Sequence, residues 1–283
     1  MSVEDALATL GEAWSTLADP WSHAIMQRAL AEIALLGIVG GALGCWIVLY
    51  ELSYGAESLS HAIFPGLVLA ALTGVPLLLG GAAGLVVAAL AIGLAGRAPE
   101  IGADTAIAVV VTGLFGLGAM LALSASSPPG LQALLFGDIL GVTDLDIWLA
   151  ASLAAATVVA LRLLHRQLLA VGFDRTSAHA IGGRPLIVDA ALLLLLASAV
   201  LVGVQGLGAL LVIAVLIGPA ASARLLARRA VPMMVLAATI AVLSGAAGLY
   251  LSYYADTAGG ASIAATTVTS YLALRALTAL WRS

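Results

Sequence analysis

Apolar runs recur along the chain near residues 30 to 50, 58 to 74, 76 to 96, 104 to 124, 146 to 164, 187 to 204, 207 to 223, 231 to 253 and 260 to 280. A helix needs roughly 20 apolar residues to cross the hydrocarbon of a bilayer, so the pattern predicts about nine membrane spans, or eight if a short pair folds back. Ahead of them, Leu7, Leu10, Trp14, Leu17, Trp21 and Ile25 recur at spacings of three and four. That periodicity predicts an amphipathic helix lying on the membrane surface over residues 1–28, followed by a transmembrane domain over 29–283. Residues 126 to 148, "SSPPGLQALLFGDILGVTDLDIW", are too interrupted by Pro128, Pro129 and Gly130 for a clean span. Irregular backbone at membrane depth persists only where protein or a wet cavity satisfies it, so a partly buried, re-entrant helix is expected at 131–140.

Composition narrows the class. Of 283 residues, 63% are hydrophobic and 9% charged, a balance that excludes a soluble globular domain. With 31 glycines and only 5% aromatic residues, it suits helices packed closely through small side chains rather than a strand barrel. The expected fold class is therefore an all-α integral membrane protein, a polytopic helical bundle. All 11 basic residues are arginine and none forms a polybasic tail, which argues against nucleic acid as a partner. Cys45 stands alone inside an apolar run, so neither a disulfide nor a thiolate metal cluster is available. Glu4, Asp5, Glu12 and Asp19 replace the basic start of a cleavable signal.

Arginines set the orientation. Arg162, Arg166, Arg175 and Arg184 surround one loop, Arg224, Arg228 and Arg229 another, and Arg275 and Arg282 the C-terminus. The positive-inside rule makes these ends cytoplasmic, and alternation over nine spans then puts Arg97 inside and only Arg28 outside. No GxxxxGK[ST] loop and no HExxH helix occurs, so the chain has neither a P-loop ATPase nor that kind of zinc hydrolase. No nucleophile–base pair marks it as an enzyme.

Chemistry concentrates in "GAESLSHAIFPGLV", residues 55 to 68. Glu57 and His61 are four apart and share a helix face, with Ser60 beside them. A carboxylate and an imidazole together suit a divalent transition metal. Pro65 lacks the N–H that would bond the carbonyl of residue 61, so a kink is expected there. A second reading stays open at this point: Glu57 wetted at the helix mouth and His61 hydrogen-bonded inside the bundle. Elsewhere, Pro219 in "LLVIAVLIGPAASARLLARR" marks either a mobile inner gate or close helix packing. Tyr253 and Asp256 mark either an interfacial belt or a vestibule. In the loop 165–186, Asp174 can cap a short helix stopped by Gly182 and Gly183. Phe173, Ala178 and Ile181 would give that helix an apolar face fit for a cytoplasmic partner.

These segments taken together resemble the manganese/zinc/iron-type permeases (ABC-3 family) of binding-protein-dependent ABC importers. The resemblance covers residues 28 to 280 through six ordered motifs: "GCWIVLYELSYGAESLSHAIFPGLVLA", "ADTAIAVVVTGLFGLG", "LLFGDIL", "FDRTSAHAIG", "GLGALLVIAVLIGPAASARLLA" and "LYLSYYADTAGGASI". It implies a type II ABC importer permease-like fold of about eight to nine helices in a prokaryotic cell membrane, working as a homodimer. It further implies a cytoplasmic ABC ATPase dimer docking on Phe173 to Gly182, with ATP hydrolysis on that separate subunit. An extracytoplasmic metal-binding protein would deliver the ion. Glu57 and His61 inherit the metal-pathway role; Ser60, Pro65, Pro219, Tyr253 and Asp256 stand beside them as pathway or gate candidates from their own chemistry. No permanently bound cofactor is implied; the metal is cargo, zinc or manganese with iron as a third candidate. Glu57 stands where the family has Asp, Ala56 where it has Gly, and Tyr50–Glu51 where it has a basic pair. Competing expectations are an ABC permease for a metal chelate or vitamin, and an ion-coupled secondary carrier, for which no clear inverted repeat is visible.

Overall fold

The computed structural model describes residues 19–95, 103–123, 133–174, 178, 184–209 and 211–281. Within these the chain is helical, without a strand: α1 (Ala24–Leu49), α2 (Ser53–Ala62), α3 (Phe64–Thr73), α4 (Leu77–Ala95), α5 (Ala103–Ala122), α6 (Asp144–Phe173), α7 (Pro185–Leu207), α8 (Val212–Leu226), α9 (Ala230–Ala255) and α10 (Gly259–Leu280). Among the described residues, seven segments are long and apolar enough to cross a membrane, α2 and α3 counting as one (Ser53–Thr73), and α4 and α8 are shorter apolar helices. Each apolar run of the sequence falls on one of these nine segments.

Two boundaries differ from expectation. α1 begins at Ala24, inside the stretch expected to lie on the surface, while residues 1–18 of that stretch fall outside the described residues. α6 continues to Phe173, well past the apolar run ending near 164, because Arg, Leu, Gln and Ala are good helix formers and carry the ladder beyond the hydrophobic stripe. Its start is fixed by a capping box: the Asp146 N–H donates to Thr143 Oγ1 at 3.4 Å and the Thr143 N–H to Asp146 Oδ2 at 2.9 Å.

α1 is the central pillar, packed by α6, α8 and α9. "GIVGGALG" lets their backbones approach: a Cβ at Gly41 would strike the Ala238 main chain of α9, and one at Gly44 the Leu216 carbonyl of α8. Close approach of this kind replaces the hydrophobic drive that lipid abolishes between helices. α2 to α5 form a second group, in which Gly66 of α3 meets Gly80 and Gly84 of α4. The re-entrant element expected at 131–140 is seen as a helical turn, Ala133–Phe136, and a 3-10 turn, Ile139–Gly141. Leu134 and Ile139 are buried, and the Ala209 N–H donates to the Leu134 carbonyl at 3.0 Å. Gly137 (φ 79°) and Gly208 (φ 78°) meet backbone to backbone, where a side chain would be both strained and blocked.

Candidate functional site

The turn between α1 and α2 aims the candidate site. Glu51 takes a left-handed conformation (φ 59°), the Leu52 N–H returns to the Ile47 carbonyl at 2.9 Å, and the Tyr50 hydroxyl donates to the Leu168 carbonyl of α6 at 2.8 Å. One turn into α2 stands Glu57, exposed, its carboxylate without a hydrogen bond or ion pair among the described residues. His61 follows on the same face, half-buried. Its ring meets Phe115 of α5 edge-on, with centroids 5.2 Å apart, and Phe115 in turn meets Phe64 at 5.4 Å. His61 Nδ1 is buried without a hydrogen-bond partner.

The expected kink takes the form of a break at Ile63, whose N–H still reaches Leu59 at 3.3 Å while its carbonyl accepts from Leu67 at 3.1 Å. Pro65 occupies the first turn of α3, where a missing N–H costs no helical bond. Beyond it the same stripe, Pro65, Leu69 and Thr73, lines an apolar groove of about 330 Å³ shared with α4 and α5. Ser60 is turned away from the pair: fully buried, its hydroxyl donates to the Glu57 carbonyl at 2.8 Å.

Other sequence candidates lie apart from Glu57 and His61. The Tyr253 hydroxyl donates to Asp19 Oδ2 at 2.9 Å and lies 3.3 Å from His23 Nε2, which joins the end of α9 to the turn before α1. Asp256 is the exposed left-handed cap of α9 (φ 50°). Pro219 is buried inside α8, and the Val215 carbonyl it leaves without an N–H lies against Gly40 of α1, the arrangement of close packing. Phe173 ends α6 at 95% exposed; the Asp174 carbonyl accepts the Ala178 N–H at 2.9 Å, as a helix cap does, and Ala178 is buried. Gly182 lies outside the described residues.

Among the described residues no group of three His, Cys, Asp or Glu side chains gathers to hold a metal. The arrangement can offer an ion two donors, a short and exchangeable grip rather than a closed cage. Sequence reasoning missed Glu32, 1% exposed in α1 with Oε2 unpartnered; a carboxylate inside the apolar run 30 to 50 was the available signal. It also missed Phe115 as the wall behind His61.

A many-span helical bundle with an unsatisfied carboxylate–imidazole pair at a broken span belongs to the class of membrane transport subunits. More narrowly, the chain belongs to the ABC 3 transport family, whose sequence profile matches residues 22–278. It is 34% identical over 241 residues to the manganese transport system membrane protein MntC of Listeria monocytogenes, covering 85% of this chain and 86% of that protein. It is 33% identical over 247 residues to the manganese import system permease protein ScaB of Streptococcus parasanguinis, covering 87% and 88%. The solved structure of PsaBC from Streptococcus pneumoniae in complex with Fab superposes with a TM-score of 0.85 at 30% identity, covering 93% of this chain and 95% of that one.

Proposed function

We propose that this chain is the membrane-spanning permease of an ABC importer for a divalent transition metal, with manganese the first cargo and zinc and iron(II) its competitors. The observation that carries the reading is the Glu57–His61 pair: an exposed carboxylate and, on the same face of a broken span, an imidazole whose Nδ1 has no hydrogen-bond partner. Manganese as cargo is favoured by the relatives' names. All nine apolar segments cross the membrane, α4 and α8 included, in a type II permease arrangement, which keeps the arginine-rich ends together on the cytoplasmic side of a prokaryotic cell membrane.

Two copies form the path. A carboxylate facing lipid costs about 2.5 to 3.5 kcal/mol, so the exposed Glu57 is better covered by a second copy across a wet passage, which doubles the donors to two Glu and two His. Cytoplasmic ATPase subunits dock at Phe173, Asp174 and Ala178. An extracytoplasmic binding protein delivers the ion.

The test is uptake of radiolabelled manganese by the full complex in proteoliposomes. Glu57→Ala with His61→Ala is expected to reduce uptake to background while the ATPase subunits remain bound; unchanged uptake sinks the assigned pathway. Competition by free manganese, zinc and iron(II) ranks the cargo, and competition by chelate alone transfers the reading to a chelate permease.

A further inference from the structure

The face formed by α1, α6 and α9 carries a groove of about 610 Å³ that the transport reading leaves unused. Its walls are apolar, among them Ile38, Val158 and Val235, and they remain 39%, 45% and 64% exposed. Its rim is basic: Arg162, His165 and Arg166 line it from one side of α6. Neither arginine side chain makes a hydrogen bond or ion pair among the described residues, and the Arg28–Asp144 salt bridge, at 3.0 Å, lies at the opposite end of α6. His165 rests edge-on against Trp46, with ring centroids 5.8 Å apart.

Depth decides what fits. At ~1.5 Å per residue, Arg162 stands about 27 Å along α6 from Asp144, close to one full thickness of hydrocarbon. With the arginine-rich ends inside, the rim lies at the cytoplasmic headgroup level, and exposed Arg228 and Arg229 precede α9 at the same end. The apolar part of the groove runs from this rim into the membrane. An occupant must therefore carry negative charge at one end and hydrocarbon at the other.

We infer that this groove binds one anionic glycerophospholipid of the cytoplasmic leaflet, its phosphate held between Arg162 and Arg166 and an acyl chain lying along Val158, Val235 and Ile38. Guanidinium groups match phosphate through paired N–H donors, and basic pockets between spans on the cytoplasmic side collect anionic headgroups. Charge complementarity separates this occupant from bulk lipid: a zwitterionic headgroup would leave the arginines uncompensated. The inference rests on the membrane orientation proposed above but not on the cargo or on Glu57 and His61.

Native mass spectrometry of the full chain in detergent, given equal dioleoyl phosphatidylglycerol and dioleoyl phosphatidylethanolamine, tests it. The anionic lipid is expected to be retained about thirtyfold over the zwitterionic one, the scale set by two arginines near an anionic group. The preference should vanish in R162Q/R166Q, whose side chains are exposed and leave folding intact, and should persist in R275Q. Val158→Trp, which fills the groove from an exposed position, should lower retention without touching the charges. Equal retention of both lipids by the unaltered chain, or a preference that survives both R162Q/R166Q and Val158→Trp, overturns the proposal. Displacement of the lipid by millimolar inorganic phosphate overturns it too, in favour of a free-anion site.

Discussion

Glu57 and Glu32 are both carboxylates on spanning helices, yet their surroundings give them opposite parts. Glu57 is exposed on a face that continues through His61 into a groove, so its charge can be met by water or an ion. Glu32 is 1% exposed, its Oε2 has no hydrogen-bond partner, and it faces Gly206 of α7 near Ile139. Leaving a buried polar group unsatisfied costs about 1 to 3 kcal/mol, and a charge costs more. Glu32→Gln is therefore expected to raise the thermal unfolding midpoint of the purified chain while metal uptake persists; a lower midpoint would show that the carboxylate is satisfied within the folded chain. Both glutamates were visible in the sequence as breaks in apolar runs. Only the path of α7 and the turn at Ile139 distinguishes the buried one, since a helix of nearly uniform hydrophobicity has no polar face by which to tell which way a residue points.

At the scale of elements, α1 meets α8 in a close joint. Pro219 leaves the Val215 carbonyl without its helical donor, and a methyl at Gly40 would lie 2.9 Å from that oxygen; Gly44, one turn on, meets the Leu216 carbonyl still more closely. Gly44→Leu must push the two backbones apart, and overpacking of this kind costs about 1 to 3 kcal/mol or more. Poor recovery of folded chain and a lowered unfolding midpoint are expected, whereas Gly113→Ala on α5, where a Cβ meets open space, should leave monomer stability unchanged. The glycine pattern and the proline were legible as a close-packing signal. Their pairing was not, because which small residue meets which carbonyl depends on the crossing of two helices far apart in the chain.

For the whole molecule, the exposed end of α6 matters most. Phe173 is 95% exposed, an aromatic ring unfit for solvent and well suited to a partner's pocket. Phe173→Ser should leave the folded permease intact and abolish capture of the ATPase subunits in a pull-down; undiminished capture places the contact elsewhere on the loop. The helical membrane class, the nine apolar segments, the shared face of Glu57 and His61, and the break before Pro65 were all legible from residues alone. Those features depend on residue type and spacing within one helix. Tertiary structure alone decided that Phe115 walls His61, that Ser60 serves the backbone, that Tyr253 answers to Asp19, and that Arg162 and Arg166 border an apolar groove. These depend on which helices become neighbours, a choice made by backbone approach at small residues rather than by any pattern along the chain.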